Sequence, residues 1–183
     1  MKDSQITMTS SGFTLHFSFP DTDSSENMSR TFKIYKVGDG ATDASTELYR
    51  FHHPDTGLKT GLTTFHRQNL QTNIFEIAGQ IDWLATYNCT VSFGVDEVHV
   101  QDLRKRKNSG SRSRRFKASG AEYKWKIAEN DEGLLCVDSS GKNVATWSHQ
   151  NHNLWISEKG ELVLDRITVT CFLNLWFKQH GAW

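Results

Sequence analysis

Apolar and polar side chains alternate over most of this chain. In Phe13-Thr14-Leu15-His16-Phe17-Ser18-Phe19 every second residue is large and apolar. Successive side chains of a strand point to opposite faces, so this run predicts a strand with one buried face. Comparable runs cover 31–37, 47–52, 61–66, 73–77, 90–95 and 97–103, then 122–127, 134–137, 144–147, 154–157 and 162–164. Turn chemistry separates many of them. His53-Pro54-Asp55-Thr56-Gly57, Asn130-Asp131-Glu132-Gly133, Ser139-Ser140-Gly141-Lys142 and Glu158-Lys159-Gly160 each offer a glycine for positive φ, and the last three predict hairpins. Roughly a dozen short strands punctuated in this way predict a mainly β chain, an antiparallel barrel or sandwich. The polar stretches 20–30 and 38–46 read as loops. Strand patterning resumes after each, so the whole of 1–183 reads as a single β-rich domain.

The last segment breaks the pattern. In DRITVTCFLNLWFKQHGAW, from Asp165 on, Ile167, Val169 and Cys171 alternate as in a strand. Phe172, Leu173, Leu175, Trp176 and Phe177 are apolar on more than one face, which favours a buried helix. Asp165 is placed to cap its start, and Lys178 and His180 suit its end. Helix is the favoured reading over strand. At about 1.5 Å per residue, 167–177 spans roughly 16 Å, short of the roughly 20 residues that cross a bilayer. The segment is therefore expected in the core.

Composition narrows the class. Eleven Phe and six Trp supply core material that disordered chains lack. Two Pro and aperiodic Gly exclude a collagen-like chain. Cys89, Cys136 and Cys171 form no close pair and no CxxC, so neither a disulfide framework nor a zinc signature is present. The first residues, MKDSQITMTSSG, contain no apolar stretch of signal-peptide length, which leads us to expect a cytosolic protein.

The formal net charge of zero conceals a segregation. Between Arg104 and Lys117 the chain reads RKRKNSGSRSRRFK, with eight of its 21 cations and no acid. The remaining 13 cations face 21 acids, a net of −8. The basic segment is the candidate functional feature. Its anion-binding candidates are Arg104, Lys105, Arg106, Lys107, Arg112, Arg114, Arg115 and Lys117. Interleaved Gly and Ser predict a flexible strand-to-strand loop over 104–117. Each cation beside an anionic membrane contributes about 1 kcal/mol, so eight set a ceiling of about 8 kcal/mol before screening. The same string has the form of a bipartite nuclear-import signal, and phosphorylation of Ser109, Ser111 or Ser113 would subtract charge from it. The bland alternative is a solvated loop that keeps an acidic body soluble.

The stretch VSFGVDEVHVQDL, the basic linker, and RRFKASGAEYKWKI together resemble a fungal family known only as a domain of unknown function. Arg115-Phe116, Gly120 and Tyr123-Lys124-Trp125-Lys126 carry the likeness. That family is similar to the tubby C-terminal, LURP-one-related and phospholipid-scramblase superfamily. The resemblance covers about residues 30–178. It implies a closed or strongly curved antiparallel β-barrel of about 12 strands threaded by a hydrophobic C-terminal helix. Some tubby-like members bind phosphoinositides, but no matching motif can be placed on this chain. The cysteine-rich segment of scramblases is absent.

Other constellations carry less. His149 and His152, in HQNH, have a spacing that chelates metal on a helix, but they lie between strand patterns where a turn is expected. His52 and His53 are neighbours in a strand and point apart. No GxSxG, GxxxxGK[ST] or HExxH occurs. Asp96 and Glu97 face apart, and Asp82 beside Trp83 reads as a loop carboxylate. Trp125, Trp147 and Trp155 read as core or barrel wall, and Trp183 as exposed. We therefore expect a binding or scaffold module without catalytic residues, metal or cofactor, which contacts anionic lipid headgroups through the basic loop. The alternative is a protein-interaction or regulatory factor whose basic loop serves nuclear import or nucleic-acid binding. Ligand and oligomeric state stay open.

Overall fold

The computed structural model describes residues 11–20, 29–38, 45–129 and 133–183. Its strands are β1 (Gly12–Ser18), β2 (Phe32–Lys36), β3 (Thr46–His52), β4 (Gly61–Asn69), β5 (Ile74–Ala85), β6 (Asn88–Phe93), β7 (Asp96–His99), β8 (Ser113–Ala118), β9 (Ala121–Ile127), β10 (Leu134–Asp138), β11 (Asn143–Ser148) and β12 (Asn153–Ser157). Three helices, α1 (Val100–Leu103), α2 (Glu158–Glu161) and α3 (Leu164–Gln179), complete it. All 12 strands belong to one antiparallel sheet in the order β7-β6-β5-β4-β3-β2-β1-β12-β11-β10-β9-β8. Neighbours in the sheet are consecutive in the chain, except where β1 joins β12 with Leu15 opposite Leu154.

The sheet is not closed. β7 pairs only with β6 and β8 only with β9, leaving two edges. Of the expected closed or strongly curved barrel of about 12 strands, the 12 antiparallel strands are present but closure is not: the sheet is open and wraps α3. That wrapping is visible from the helix. Phe172 packs on Phe32 and Phe51 of β2 and β3 and meets Trp83 of β5 edge-on. On another side, Trp125 of β9 donates its indole N–H to Thr170 Oγ1 at 2.9 Å. From Ile167 to Phe177 every residue is buried. A helix apolar on all faces needs such a jacket, and inward residues from strands on several sides provide it.

Several expectations change in detail. Asp165 does not cap α3. Val163 stands at the N-cap without a side-chain bond. Asp165, in the first turn, instead accepts from Tyr49 Oη and from Arg67 Nη1. Asp82-Trp83 is no loop, because the alternation of Ile81 and Trp83 carries β5 through it. Trp83 is buried and donates to Thr63 Oγ1 at 2.9 Å, while Asp82 faces solvent. The 97–103 run divides after His99, whose side chain accepts from the Gln101 N–H and starts α1. Val100 and Leu103, three apart, then bury one face of that turn. Residues 162–164 lead into α3 rather than forming a strand. Glu158-Lys159-Gly160 forms α2, capped by Ser157 Oγ, and not a hairpin. Gly160 is required there: a Cβ would lie 2.5 Å from the Val144 carbonyl. The hairpin at Ser139–Lys142 is present, with Gly141 at φ +84°. Of the turn at Asn130–Gly133, residues 130–132 lie outside the described residues, as do 21–28 and 39–44 of the two polar stretches. Among the described residues no helix is long and apolar enough to cross a membrane.

Candidate anion-binding site

The basic segment is not one flexible loop. It leaves α1 at Arg104, turns, and returns as β8 from Ser113. Two backbone bonds of 2.9 Å, Lys105 N–H to Arg115 C=O and Arg115 N–H to Lys105 C=O, tie its two arms together. The strand was legible in principle. Arg114, Phe116 and Ala118 alternate and are all buried. An arginine at the first inward position disguises the apolar face.

The eight candidates therefore divide. Arg104 and Arg114 are structural. Arg104 lays its guanidinium 3.8 Å from the centre of the Phe177 ring and donates to Asn174 Oδ1 at 2.8 Å. Burial, then Arg114 and Arg106 nearby, pushes its pKa down to about 9, so it stays cationic at neutral pH. Arg114 is 2% exposed and donates to the carbonyls of Ser111 and Ser113, both at 3.1 Å. Burial and Arg106 lower its pKa too. Trp183 fastens this end. Its indole N–H reaches the Arg112 carbonyl at 2.9 Å, its ring lies 5.0 Å from the Arg114 guanidinium, and its carbonyl accepts from Arg106 at 3.1 Å. It is half-buried rather than exposed.

Arg115 is spent differently, in an ion pair of 2.5 Å with Glu122. Lys105, Arg106, Lys107, Arg112 and Lys117 remain exposed. Pairing of β8 with β9 adds cations that lie beyond the basic string. Arg115 stands opposite Lys124 and Ser113 opposite Lys126, so both lysines share that outer face. Lys124 is held below its usual pKa by burial first and then by Lys126 and Arg115. Period-two reading of Tyr123-Lys124-Trp125-Lys126 puts both lysines outside, but only the pairing joins them to the basic segment.

Beside this face runs a cleft of about 720 Å³ between the β7–α1 arm and β8. Lys105, Arg106, Lys107, Arg115, Lys117 and Arg166 line it, against Asp96, Asp102 and Glu122. Arg166 is paired with Asp96 and Arg115 with Glu122. Lys105, Arg106, Lys107 and Lys117 then face one remaining acid, Asp102, so the cleft is net positive.

The other candidates read from the sequence lie elsewhere among the described residues. No three of His, Cys, Asp or Glu meet there to hold a metal ion. His149 and His152 lie in the β11–β12 turn with ring centres 5.9 Å apart, and His152 stacks on Trp147. Burial, followed by His149 and His16, lowers the His152 pKa. All three cysteines are buried, and burial raises each thiol, Cys89 to about 12. Such thiols are not nucleophiles at neutral pH. Trp125 and Trp147 are core residues, whereas Trp155 is half-buried.

Residues 16–175 match a family described as "Family of unknown function (DUF6593)". The chain belongs to this family. The match takes in β2 to β12, the basic segment and most of α3. No curated protein matches the chain. It is similar to a solved protein with unknown function from Bacteroides fragilis, at 15% identity and a TM-score of 0.31. That likeness covers 70% of this chain and 87% of the other.

Proposed function

We propose that this member of the DUF6593 family is a non-enzymatic binding module that contacts anionic lipid headgroups through its basic face. We infer with it a distant kinship to the tubby-like, LURP-one-related and scramblase proteins of fungal and other origin. A sheet wrapped about a buried C-terminal helix supports that kinship. One observation carries the binding reading. Lys105, Arg106, Lys107, Arg112 and Lys117 stay exposed and are joined by Lys124 and Lys126 on the neighbouring strand. The last residues of the chain bring apolar groups near them. Tyr87 donates to the His180 carbonyl, and Arg106 donates to that of Trp183. The Leu84–Tyr87 turn, exposed at both ends, and the 106–112 turn thus gather at one end of α3. Cations beside exposed apolar and aromatic groups suit a membrane interface.

Five cations at about 1 kcal/mol each supply at most about 5 kcal/mol, a dissociation constant of hundreds of micromolar. Lys124 and Lys126 extend this modestly. Binding of this strength is reversible and salt-sensitive, and fits peripheral attachment of a cytosolic protein. The rival reading, nuclear import or nucleic-acid binding, uses the same cations. It is less favoured because an accessible basic string would have to include Ser113–Lys117, which lies in β8 with Arg114 buried.

Flotation with vesicles of phosphatidylcholine, with and without 30% phosphatidylserine, tests the proposal. Binding is expected only to the charged vesicles and is expected to fall more than tenfold between about 50 and 300 mM salt. Changing Lys105, Lys107, Lys124 and Lys126 to Gln is expected to abolish it without altering the melting temperature. Equal flotation with neutral vesicles, or preference for a single-stranded RNA probe at the same salt, refutes it.

A further inference from the structure

The two edges of the sheet face the same groove. Main-chain geometry shows which groups point into it. Ser119-Gly120 is a two-residue turn, flanked by the pair Ala118 and Ala121. In such a hairpin the flanking pair exchanges hydrogen bonds, and every second residue does the same. Ala118, Phe116 and Arg114 therefore bond to β9, and the alternate residues Arg115 and Lys117 present N–H and C=O outwards. Arg115 confirms the phase, since both its groups bond to Lys105. Lys117 is the next outward position. On the other edge the turn Gly94-Val95 joins Phe93 to Asp96. By the same rule Asp96 and Val98 face β6, and Glu97 points outwards. Among the described residues, the Lys105–Arg115 pair accounts for the backbone bonds that cross this seam.

The groove is built for more than water. Its 720 Å³ cleft adjoins a second of about 470 Å³, the two sharing Asp96, Ser119 and Arg166 along the seam. Val98, Leu103, Phe116 and Ala118 give it an apolar floor, and Lys105, Lys107 and Lys117 a cationic rim. An added strand sends alternate side chains to opposite faces. One set would meet the floor and the other the rim. Lysine at an edge strand also deters indiscriminate pairing, and here it selects for negative charge.

We propose that the seam between β7 and β8 is a docking groove for an extended segment of a partner protein in which acidic and apolar residues alternate. The segment adds a strand between the two edges, its main chain bonding to Lys117 and Glu97 and its acidic side chains meeting Lys105, Lys107 and Lys117. Main-chain pairing gives affinity and the alternation gives selectivity, as in other strand-addition complexes. This inference does not rest on the membrane reading: the two share Lys105, Lys107 and Lys117, but Lys124 and Lys126 belong to the membrane reading alone.

A fluorescein-labelled octapeptide, four repeats of Glu-Val, is the probe, titrated by fluorescence anisotropy into the full chain. Saturable binding is expected, with at least tenfold loss when Glu is replaced by Lys in the peptide. The same loss is expected when its amides are N-methylated at alternate positions. Lys117→Pro removes the outward N–H from an edge position that tolerates proline, and is expected to cost at least tenfold at an unchanged melting temperature. Lys117→Glu provides a second test that leaves the main chain intact, with the same expectation. Hydrogen exchange at Lys117 and Glu97 is expected to slow at least tenfold in the complex. Lys124→Gln/Lys126→Gln, which should weaken vesicle flotation, is expected to leave peptide affinity within twofold, so the two readings fail separately. The proposal is overturned if no saturable binding occurs, or if the N-methylated peptide binds equally well. It is also overturned if Lys117 becomes protected with rising protein concentration and no peptide, which would mean that a second copy fills the seam.

Discussion

At the scale of single residues, Asp138 and Arg30 show how buried polar groups are given structural tasks. Asp138 is nearly inaccessible, yet it receives Lys159 Nζ at 2.6 Å, Ser140 Oγ at 2.7 Å and the N–H groups of Ser140 and Lys142 at 2.8 and 2.9 Å. The carboxylate organises the β10–β11 turn and ties α2 to it. These donors, Lys159 and Ser140 foremost, hold its pKa well below the usual carboxylate range. The folded state thus binds its proton less readily than the unfolded chain, whose Asp titrates near about 4. The resulting stabilisation is complete above that pH and is lost as pH falls through and below it. Asp138→Asn keeps the shape but removes charge and acceptor strength. Urea melts should show it about 1–3 kcal/mol less stable at pH 7, with the gap narrowing towards pH 3. An unchanged midpoint at both pH values would contradict this. Arg30 shows the same economy without an acid. It lies between Trp83 and Trp176, 4.0 and 4.6 Å from their ring centres, and donates to the Lys59 carbonyl.

At the scale of elements, α3 organises the molecule and β5 shows how the sheet bends to reach it. β4 and β5 slip register between Phe65 and His66, and β5 and β6 between Trp83 and Ala85. Bulges of this kind raise local twist and turn a long strand around a core. Gly79 sits beside the first of them, where a Cβ would come within 2.1 Å of the Ser92 carbonyl and 2.3 Å of the Phe65 ring. The packing that results predicts a contrast between two large residues. Phe172→Ala removes a ring in contact with four aromatic neighbours and should cost about 3–5 kcal/mol. Leu162→Ala, at a residue 81% exposed, should stay within about 0.5 kcal/mol. Chemical denaturation of the two variants checks both. Elements also explain where reading the chain alone stops. Strands with a strictly apolar inward face, such as β1 and β12, are plain in the alternation. β8 is hidden because Arg114 takes an inward place, and its cost is met by the neighbouring Ser111 and Ser113 carbonyls together with the Trp183 ring, which comes from a distant part of the chain.

At the scale of the whole molecule, sheet and helix depend on each other. Inward residues of β2, β3, β5 and β9 all contact α3, and removing it would leave their aromatic rings facing water. A chain lacking 164–179 should therefore show no cooperative thermal transition, while the full chain unfolds in one step. Calorimetry of both distinguishes this from a sheet that folds alone, which would keep a transition of reduced enthalpy. The open seam belongs to this scale as well. It arises because the chain leaves β7 through α1 and the basic turn before it returns as β8, and of that connection Lys105 bonds to the β8 edge, at Arg115.

What this chain's sequence determines by itself is local. Period-two alternation, turn glycines and an apolar terminal segment specify roughly a dozen strands and a buried helix, because backbone geometry converts spacing directly into faces. It also concentrates eight cations in one segment. Which of those cations meet solvent, which join Lys124 and Lys126, and that the sheet stops short of closing were decided only in three dimensions. The docking of Arg104 on Asn174 and Phe177, the Trp183 ring beside Arg114, and the gap between β7 and β8 depend on contacts between residues far apart in the chain, and no local pattern encodes them.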